Sequence, residues 1–260
     1  MSEIQFQIKQ LKKQIIVAAA KTGEGHIPSA FSILDILWVL YNKILQINSS
    51  DPKNDTRDRF ILSKGHGSLA LYAVLADKGF FSTAEFDNFA TLKSILGGHP
   101  DCNKVPGVEA STGSLGHGFP FALGIALGLK IKKNISRVFV LIGDGESNEG
   151  TIWESALLAS HNKLNNLTCI VDYNHSNDRA LKLGDVATKF STFGWSSIII
   201  NGHDHKAIFE SLQKCDESKP IAIIAETIKG FGVNEMEGNP AWHHKSPSKE
   251  ELQLMLSELS

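Results

Sequence analysis

The sequence predicts an α/β protein with a mostly parallel central sheet and helices on both faces. β-rich runs at Val138 to Ile142, Leu167 to Val171, Ser197 to Ile200 and Ile221 to Ala225 alternate with helical patterns, the order that builds βαβ units. Gly143-Asp144-Gly145 and Asn174 each follow directly on one of these runs, at what would be the carboxyl ends of neighbouring strands. Open parallel sheets bind ligands there. The 260 residues, 42% hydrophobic and 21% charged, contain no repeat, low-complexity segment or linker, which predicts one large domain with a full core.

Ile4, Ile8, Leu11 and Ile15 recur at helical spacing and predict an N-terminal amphipathic helix. Phe31 to Leu45 is apolar nearly all round, as in a buried helix. Capping boxes at Ser82 with Glu85, Thr151 with Glu154 and Ser248 with Glu251 predict three helix starts, the second being the crossover after the Gly-Asp-Gly turn. Asn234 to Pro247, rich in Gly, Asn, Pro and His, predicts an ordered functional loop.

Net charge of -2 and a pI near 6.5 give no electrostatic basis for a nucleic acid or anionic membrane partner. Cys102, Cys169 and Cys215 are far apart and outside any C-x-x-C spacing, so they are expected to be buried reduced thiols. No signal peptide opens the sequence and its apolar stretches stop short of a membrane span, so a cytoplasmic location is expected.

Asp144 offers a carboxylate, Asn174 an amide carbonyl, and glycines beside them leave room for a diphosphate. Such oxygen donors suit Mg2+ or Ca2+. Gly-Asp-Gly alone is equally a turn, and the functional reading rests on its pairing with Asn174 across one crossover. A second signal is histidine beside glycine: Gly25-His26, Gly65-His66-Gly67, Gly98-His99, Gly116-His117-Gly118 and Gly202-His203. Imidazoles gathered in one pocket can bind sugar hydroxyls and carbonyls and move protons during carbon-carbon cleavage. Zinc is the rival use, against which stands the absence of an H-E-x-x-H cluster.

A Gly-Asp-Gly followed thirty residues after its aspartate by Asn174 resembles the diphosphate motif of the thiamine diphosphate enzymes. Further stretches narrow the resemblance: Gly-Glu-Gly-His-Ile-Pro at 23 to 28, Leu-Ser-Lys-Gly-His-Gly at 62 to 67, Gly-Gly-His-Pro-Asp at 97 to 101 and the segment 106 to 118. Gly-Asp-Gly-Glu-Ser-Asn-Glu-Gly at 143 to 150, Thr-Ile-Lys-Gly at 227 to 230 and Asn-Pro-Ala-Trp-His at 239 to 243 complete the set. Over nearly its whole length the chain resembles the N-terminal, diphosphate-binding part of transketolase, in the form of the separate N-terminal subunit of split bacterial enzymes.

That resemblance implies the thiamine diphosphate-binding fold. It also implies Mg2+, with Ca2+ and Mn2+ also compatible, held by Asp144, Asn174 and the main-chain carbonyl of Ser176. It places Gly143, Gly145 and His66 at the diphosphate, and His243 between diphosphate and substrate. His26 and His99 would face the sugar, all four histidines forming the catalytic set. Gly113 would accept from the aminopyrimidine, and Leu115 would pack on the cofactor rings. Glu149 would link paired active sites where subunits meet, or serve only as a helix-start carboxylate.

The implied reaction moves a two-carbon ketol unit from a ketose, free or phosphorylated, to an aldose. Residues 1 to 260 would be a single diphosphate-binding domain. A partner chain, the C-terminal transketolase subunit, would carry the pyrimidine-binding and C-terminal domains and complete a heterotetramer. His117, Phe231 and His244 depart from the common pattern and would add bulk near the cofactor pocket. The alternatives are an alpha-type subunit of a 2-oxo acid dehydrogenase, a deoxyxylulose phosphate synthase-like chain, or a non-catalytic partner-binding subunit.

Overall fold

The computed structural model describes residues 3–178 and 180–260. Strands β1 (Arg59–Leu62), β2 (Val138–Gly143), β3 (Leu167–Tyr173), β4 (Ser196–Asn201) and β5 (Ile221–Glu226) form one parallel sheet in the order β1-β2-β3-β5-β4. The four runs read as strands are β2 to β5. Strand β1 is additional: its four residues follow a charged, turn-rich stretch and are too short to show a period of their own.

Side chains alternate across the sheet with period two. Phe60, Leu62, Phe139, Leu141, Ile170 and Ile223 pack into one apolar layer with α1 (Glu3–Thr22), α2 (Ile27–Phe31), α3 (Leu34–Val39), α4 (Ser68–Asp77), α8 (His205–Gln213) and α9 (Lys249–Glu258). Ile61, Val138, Val140, Ile142, Cys169, Val171 and Ile224 pack into the other, with α5 (Gly118–Ile131), α6 (Gly150–His161) and α7 (Val186–Thr192). Coverage of both faces is why β1, β2 and β3 are buried at every position and read as continuous apolar runs.

Three local expectations are corrected. Phe31 to Leu45 is not one helix. It is broken after α2, where the Ser32 hydroxyl turns to the Ser29 carbonyl and the Asp172 carboxylate, and it ends in a π-helical turn, Leu40–Ile44. Thr151 lies inside α6, which is capped by Glu149, and its hydroxyl donates to the Gly116 carbonyl at 2.8 Å. Ser82 does cap a helix, but a 3-10 one, Thr83–Asn88. The Ser248–Glu251 capping box is present as expected. Of the cysteines only Cys169 is buried; Cys102 and Cys215 are exposed, because both sit in surface loops rather than in a strand. No described helix is long and apolar enough to cross a membrane.

A buried polar cluster ties these elements together beneath the carboxyl ends of the strands. Asp172, fully buried near the end of β3, accepts from Lys64 Nζ at 2.5 Å, Ser32 Oγ at 2.8 Å, Asn174 Nδ2 at 2.9 Å and Thr227 Oγ1 at 2.5 Å. Burial alone would favour the protonated acid, but the Lys64 ammonium and these donors hold Asp172 below the usual carboxylate range. Removing one partner of such a pair strands a charge in the core, at a cost of about 3–5 kcal/mol, whereas replacing both with apolar groups is often neutral. Lys64→Met is therefore expected to lower stability in urea denaturation by about that amount, and Lys64→Met with Asp172→Leu to recover most of it. A loss below about 1 kcal/mol for the single variant would show that the pair does not hold these elements together.

Candidate active site

Strand β2 ends at Gly143, and the Asp144 amide donates to the Asp172 carbonyl at 3.1 Å, so the aspartate sits on the neighbouring strand's end. Its carboxylate accepts from the Gly145 amide (2.7 Å), the Ser176 hydroxyl (3.1 Å) and the Asn177 amide (3.3 Å). Asn174 Oδ1 accepts from the Ser176 amide at 3.1 Å, while its Nδ2 is fixed on Asp172. The three predicted metal ligands thus form one mutually bonded group with oxygen donors only, a set that fits a hard divalent cation.

The facing wall comes from the turn after β1. Gly65 permits it: a Cβ there would lie 2.8 Å from the Gly113 amide nitrogen, so only glycine lets the two loops touch. Glu146, from the motif after β2, is buried with both oxygens engaged. It accepts from the Ser63 hydroxyl and the Gly116 amide (2.9 Å) on one oxygen and the Gly143 amide (3.1 Å) on the other. Burial raises its pKa, and its saturated oxygens make it a brace rather than a proton-transfer group.

A cavity of about 350 Å³ is lined by His26, His66, Gly113, Leu115, Gly143, Asp144, Gly145, Asn174, Ser176 and His243, all predicted, together with Lys64, Glu146, Asn177 and Lys229. Two predicted residues lie outside that lining. His99 stands behind Gly113, where an added Cβ would come 3.1 Å from its ring, and it opens onto an adjoining cleft with Glu24, Asp101 and Lys104. Glu149 is the exposed N-cap of α6 and makes no side-chain cap hydrogen bond. The bulk expected near the pocket is distributed differently. His117 bonds the Leu115 carbonyl at 3.0 Å and His244 packs on His26 at 4.6 Å between ring centroids, but Phe231 stacks on His203 away from the cavity.

His26, His66 and His243 lie 5.4 to 6.4 Å apart between ring centroids. Burial, helped by neighbouring imidazoles, pushes His26 down to about 4; burial and the Lys64 ammonium push His66 down to about 2; burial and Lys229 lower His243. Neutral rings must each have one donor and one acceptor nitrogen. His26 Nδ1 contacts the His243 carbonyl at 3.0 Å and so carries the proton, leaving Nε2 as acceptor. His243 Nδ1 faces the Lys229 ammonium at 3.0 Å and so accepts, leaving Nε2–H as donor. The cavity therefore presents two imidazoles of opposite polarity. Lys229, lowered to about 8 chiefly by burial and then by Lys64, keeps most of its charge at neutral pH.

Lys64, Lys229 and Asp172 were missed as functional residues. Both lysines lie inside stretches quoted for the resemblance, two residues after β1 and three after β5. A lysine at the carboxyl end of an apolar strand was the available signal.

Fold and cavity together define an α/β domain with a polar pocket at the carboxyl ends of its parallel strands. The family model described as transketolase, thiamine diphosphate binding domain, matches residues 5–259. An apulose-4-phosphate transketolase subunit of Phocaeicola vulgatus is 36% identical across 99% of this chain and 94% of its own length. A Rhodococcoides fascians protein named ferredoxin is 44% identical across 81% of this chain and 69% of its length. Among solved structures, transketolase from Leishmania mexicana superposes with a TM-score of 0.91 at 27% identity, covering 100% of this chain and 41% of that one. The chain belongs to the transketolase family and comprises its thiamine diphosphate-binding domain.

The lowered histidine values make a directional prediction. In the unfolded chain each imidazole titrates near 6.5. His26 and His66 bind their protons only at lower pH when folded, so the stability they supply is complete above about 6.5 and erodes as pH falls toward 4. Ring 15N spectra should show both neutral at pH 6 with His26 protonated on Nδ1, and either ring titrating above pH 6 would refute the assignment.

Proposed function

We propose that this chain is the N-terminal subunit of a split transketolase. It would act with a partner chain to transfer a two-carbon ketol unit from a ketose, free or phosphorylated, to an aldose. The observation that carries the reading is the acceptor face of His26 beside the donor face of His243, over the oxygen cluster of Asp144, Asn174 and Ser176. Bound thiamine diphosphate supplies the nucleophilic carbon and the electron sink for cleavage between sugar carbons 2 and 3.

The chain's own residues then have separate tasks. Asp144, Asn174 and the Ser176 carbonyl hold the cation, Mg2+ by preference and Ca2+ or Mn2+ by the same donor chemistry. Gly143 and Gly145 keep side chains out of the diphosphate's space. Lys229 and His66 line its wall, the Lys229 ammonium facing the polyanion, while the buried Lys64 ammonium stays on Asp172. His26 Nε2 takes the proton of a donor hydroxyl, and His243 Nε2–H stabilises the oxyanion that develops on the sugar. His99, in the adjoining cleft, meets the far hydroxyls of an extended sugar. Gly113 and half-exposed Leu115 face the cofactor rings.

The Phocaeicola vulgatus relative is named as one subunit of its enzyme and is covered over 94% of its length, which supports both a separate partner chain and a sugar phosphate substrate. In this reading residues 1 to 260 are one diphosphate-binding domain. The partner brings the pyrimidine-binding and C-terminal domains, two copies of each chain form a heterotetramer in the cytoplasm, and exposed Glu149 is free to meet a neighbouring chain.

Calorimetric titration of thiamine diphosphate with Mg2+ tests the whole reading. Binding is expected to be tight only with a transketolase C-terminal subunit present and to be abolished by Asp144→Ala. No binding under either condition would remove the catalytic role. In the reconstituted enzyme, His99→Ala is expected to depress donor turnover by about a hundredfold or more while leaving cofactor affinity within about threefold. Unchanged turnover would take His99 out of the site.

A further inference from the structure

Outside the cavity lies a second group of buried ionisable side chains. Asp35 on α3 is 4% exposed and accepts from two imidazoles, His203 Nδ1 at 2.9 Å and His205 Nε2 at 2.7 Å. Burial opposes its ionisation, but the two imidazole hydrogen bonds and the Lys12 ammonium hold it down at about 2, so it is a carboxylate and both imidazoles donate to it. With Nδ1 protonated, His203 Nε2 is left as an acceptor, and the Ile228 amide donates to it at 2.9 Å. Phe231 stacks on the His203 ring at 3.6 Å and 18°, and Lys12 Nζ donates to the Phe231 carbonyl at 2.6 Å.

The His203 and Lys12 contacts converge on residues 227–232. At the start of that turn the Thr227 hydroxyl is fixed on Asp172. In its middle Gly230, at φ +85°, donates to the Pro28 carbonyl at 3.0 Å, and a Cβ there would strike the Met236 carbonyl oxygen at 2.6 Å. Within this constrained turn Lys229 sends its ammonium into the active-site cavity, 3.0 Å from His243 Nδ1. Its immediate neighbour Ile228 is the residue whose amide is held by His203.

We propose that Asp35 and His203 are positioning residues: acting through the Ile228 amide and the Phe231 ring, they fix the 227–232 turn so that Lys229 meets His243 in the active-site cavity. The arrangement is a carboxylate–imidazole–amide relay in which the carboxylate selects the tautomer and the tautomer supplies the only nitrogen able to accept from Ile228. The consequence drawn for catalysis rests on the transketolase reading of that cavity; the geometry does not.

The test uses the full chain and reads Lys229 directly. Cross-relaxation between the Lys229 side chain and the His243 ring, and hydrogen exchange at the Ile228 amide, are compared in the parent, His203→Leu and His203→Gln. Leucine fills the space without an acceptor, and glutamine offers an amide oxygen to Ile228. Expected in His203→Leu is loss of the Lys229–His243 contact and faster Ile228 exchange by about tenfold or more, with both restored by His203→Gln and exchange in the sheet unchanged. A persisting Lys229–His243 contact in His203→Leu overturns the proposal. Should that variant not fold, ring 15N spectra of the parent decide, since His203 protonated on Nε2 instead of Nδ1 overturns it equally.

Titration with inorganic pyrophosphate and Mg2+ separates this inference from the functional reading. If His203→Leu and Lys229→Met each weaken binding and the pair weakens it no further, the relay acts through Lys229 on the diphosphate end. If pyrophosphate does not bind the parent even with a transketolase C-terminal subunit present, while the Lys229 contact still follows His203, the relay stands and the transketolase reading of the cavity falls.

Discussion

The buried contact between Lys64 and Asp172 is the constraint on which the site depends. Asp172 belongs to β3, Lys64 to the turn after β1, Ser32 to the break between α2 and α3, and Thr227 to the chain leaving β5. Without this convergence the carboxyl ends of four non-contiguous segments would have no common reference. Asn174 is aligned by the same carboxylate, which turns its Nδ2 inward and leaves Oδ1 toward Ser176 and the Asp144 group. A core charge is costly. Here its cost is offset by donors from Lys64, Ser32, Asn174 and Thr227, so the residue that aligns the Asp144, Asn174 and Ser176 group lies beneath it.

A second layer of constraint shapes the imidazoles. Two of the cavity's rings have one nitrogen committed to the protein: His26 to the His243 carbonyl, His243 to the Lys229 ammonium. The free nitrogens are therefore of opposite character without either ring needing to change charge near neutrality. Lys229 can do this because the turn that bears it is held on one side by Asp172 through Thr227 and on the other by His203. Thus the polarity of the His243 ring traces back to the Asp35 carboxylate on α3.

Much of this was legible in the sequence where chemistry and local pattern coincide. Gly143-Asp144-Gly145 and Asn174 stood out because a strand end, a flexible turn and oxygen ligands fell together, and His26, His66 and His243 because glycine neighbours or a family-like loop mark close backbone approach. What depends on tertiary pairing was not legible. Nothing local in Val-Asp-Tyr at 171 to 173 shows that its aspartate will be buried against a lysine over a hundred positions away. The helix break at Ser32 is a product of the same contact, since an apolar run alone cannot reveal that one hydroxyl within it will be drawn elsewhere. Glu146 had no assigned role in the sequence and Thr151 read as a cap; both are braces that fasten the 113–116 loop to the end of β2 and the start of α6.

The pairing of β1 with β2 carries a kinetic implication. Arg59 pairs with Val138, 79 positions further along, and the excursion between them holds Lys64, His66, His99, Gly113 and Leu115. Contacts of such sequence separation form late, because loop closure precedes any reward from pairing. During synthesis one whole wall of the cavity must wait, unpaired, until the chain beyond residue 143 has emerged, and the apolar β1 segment stays open to misassociation over that interval. The same long excursion that brings distant histidines together lengthens the time for which the nascent chain exposes an unpaired apolar edge.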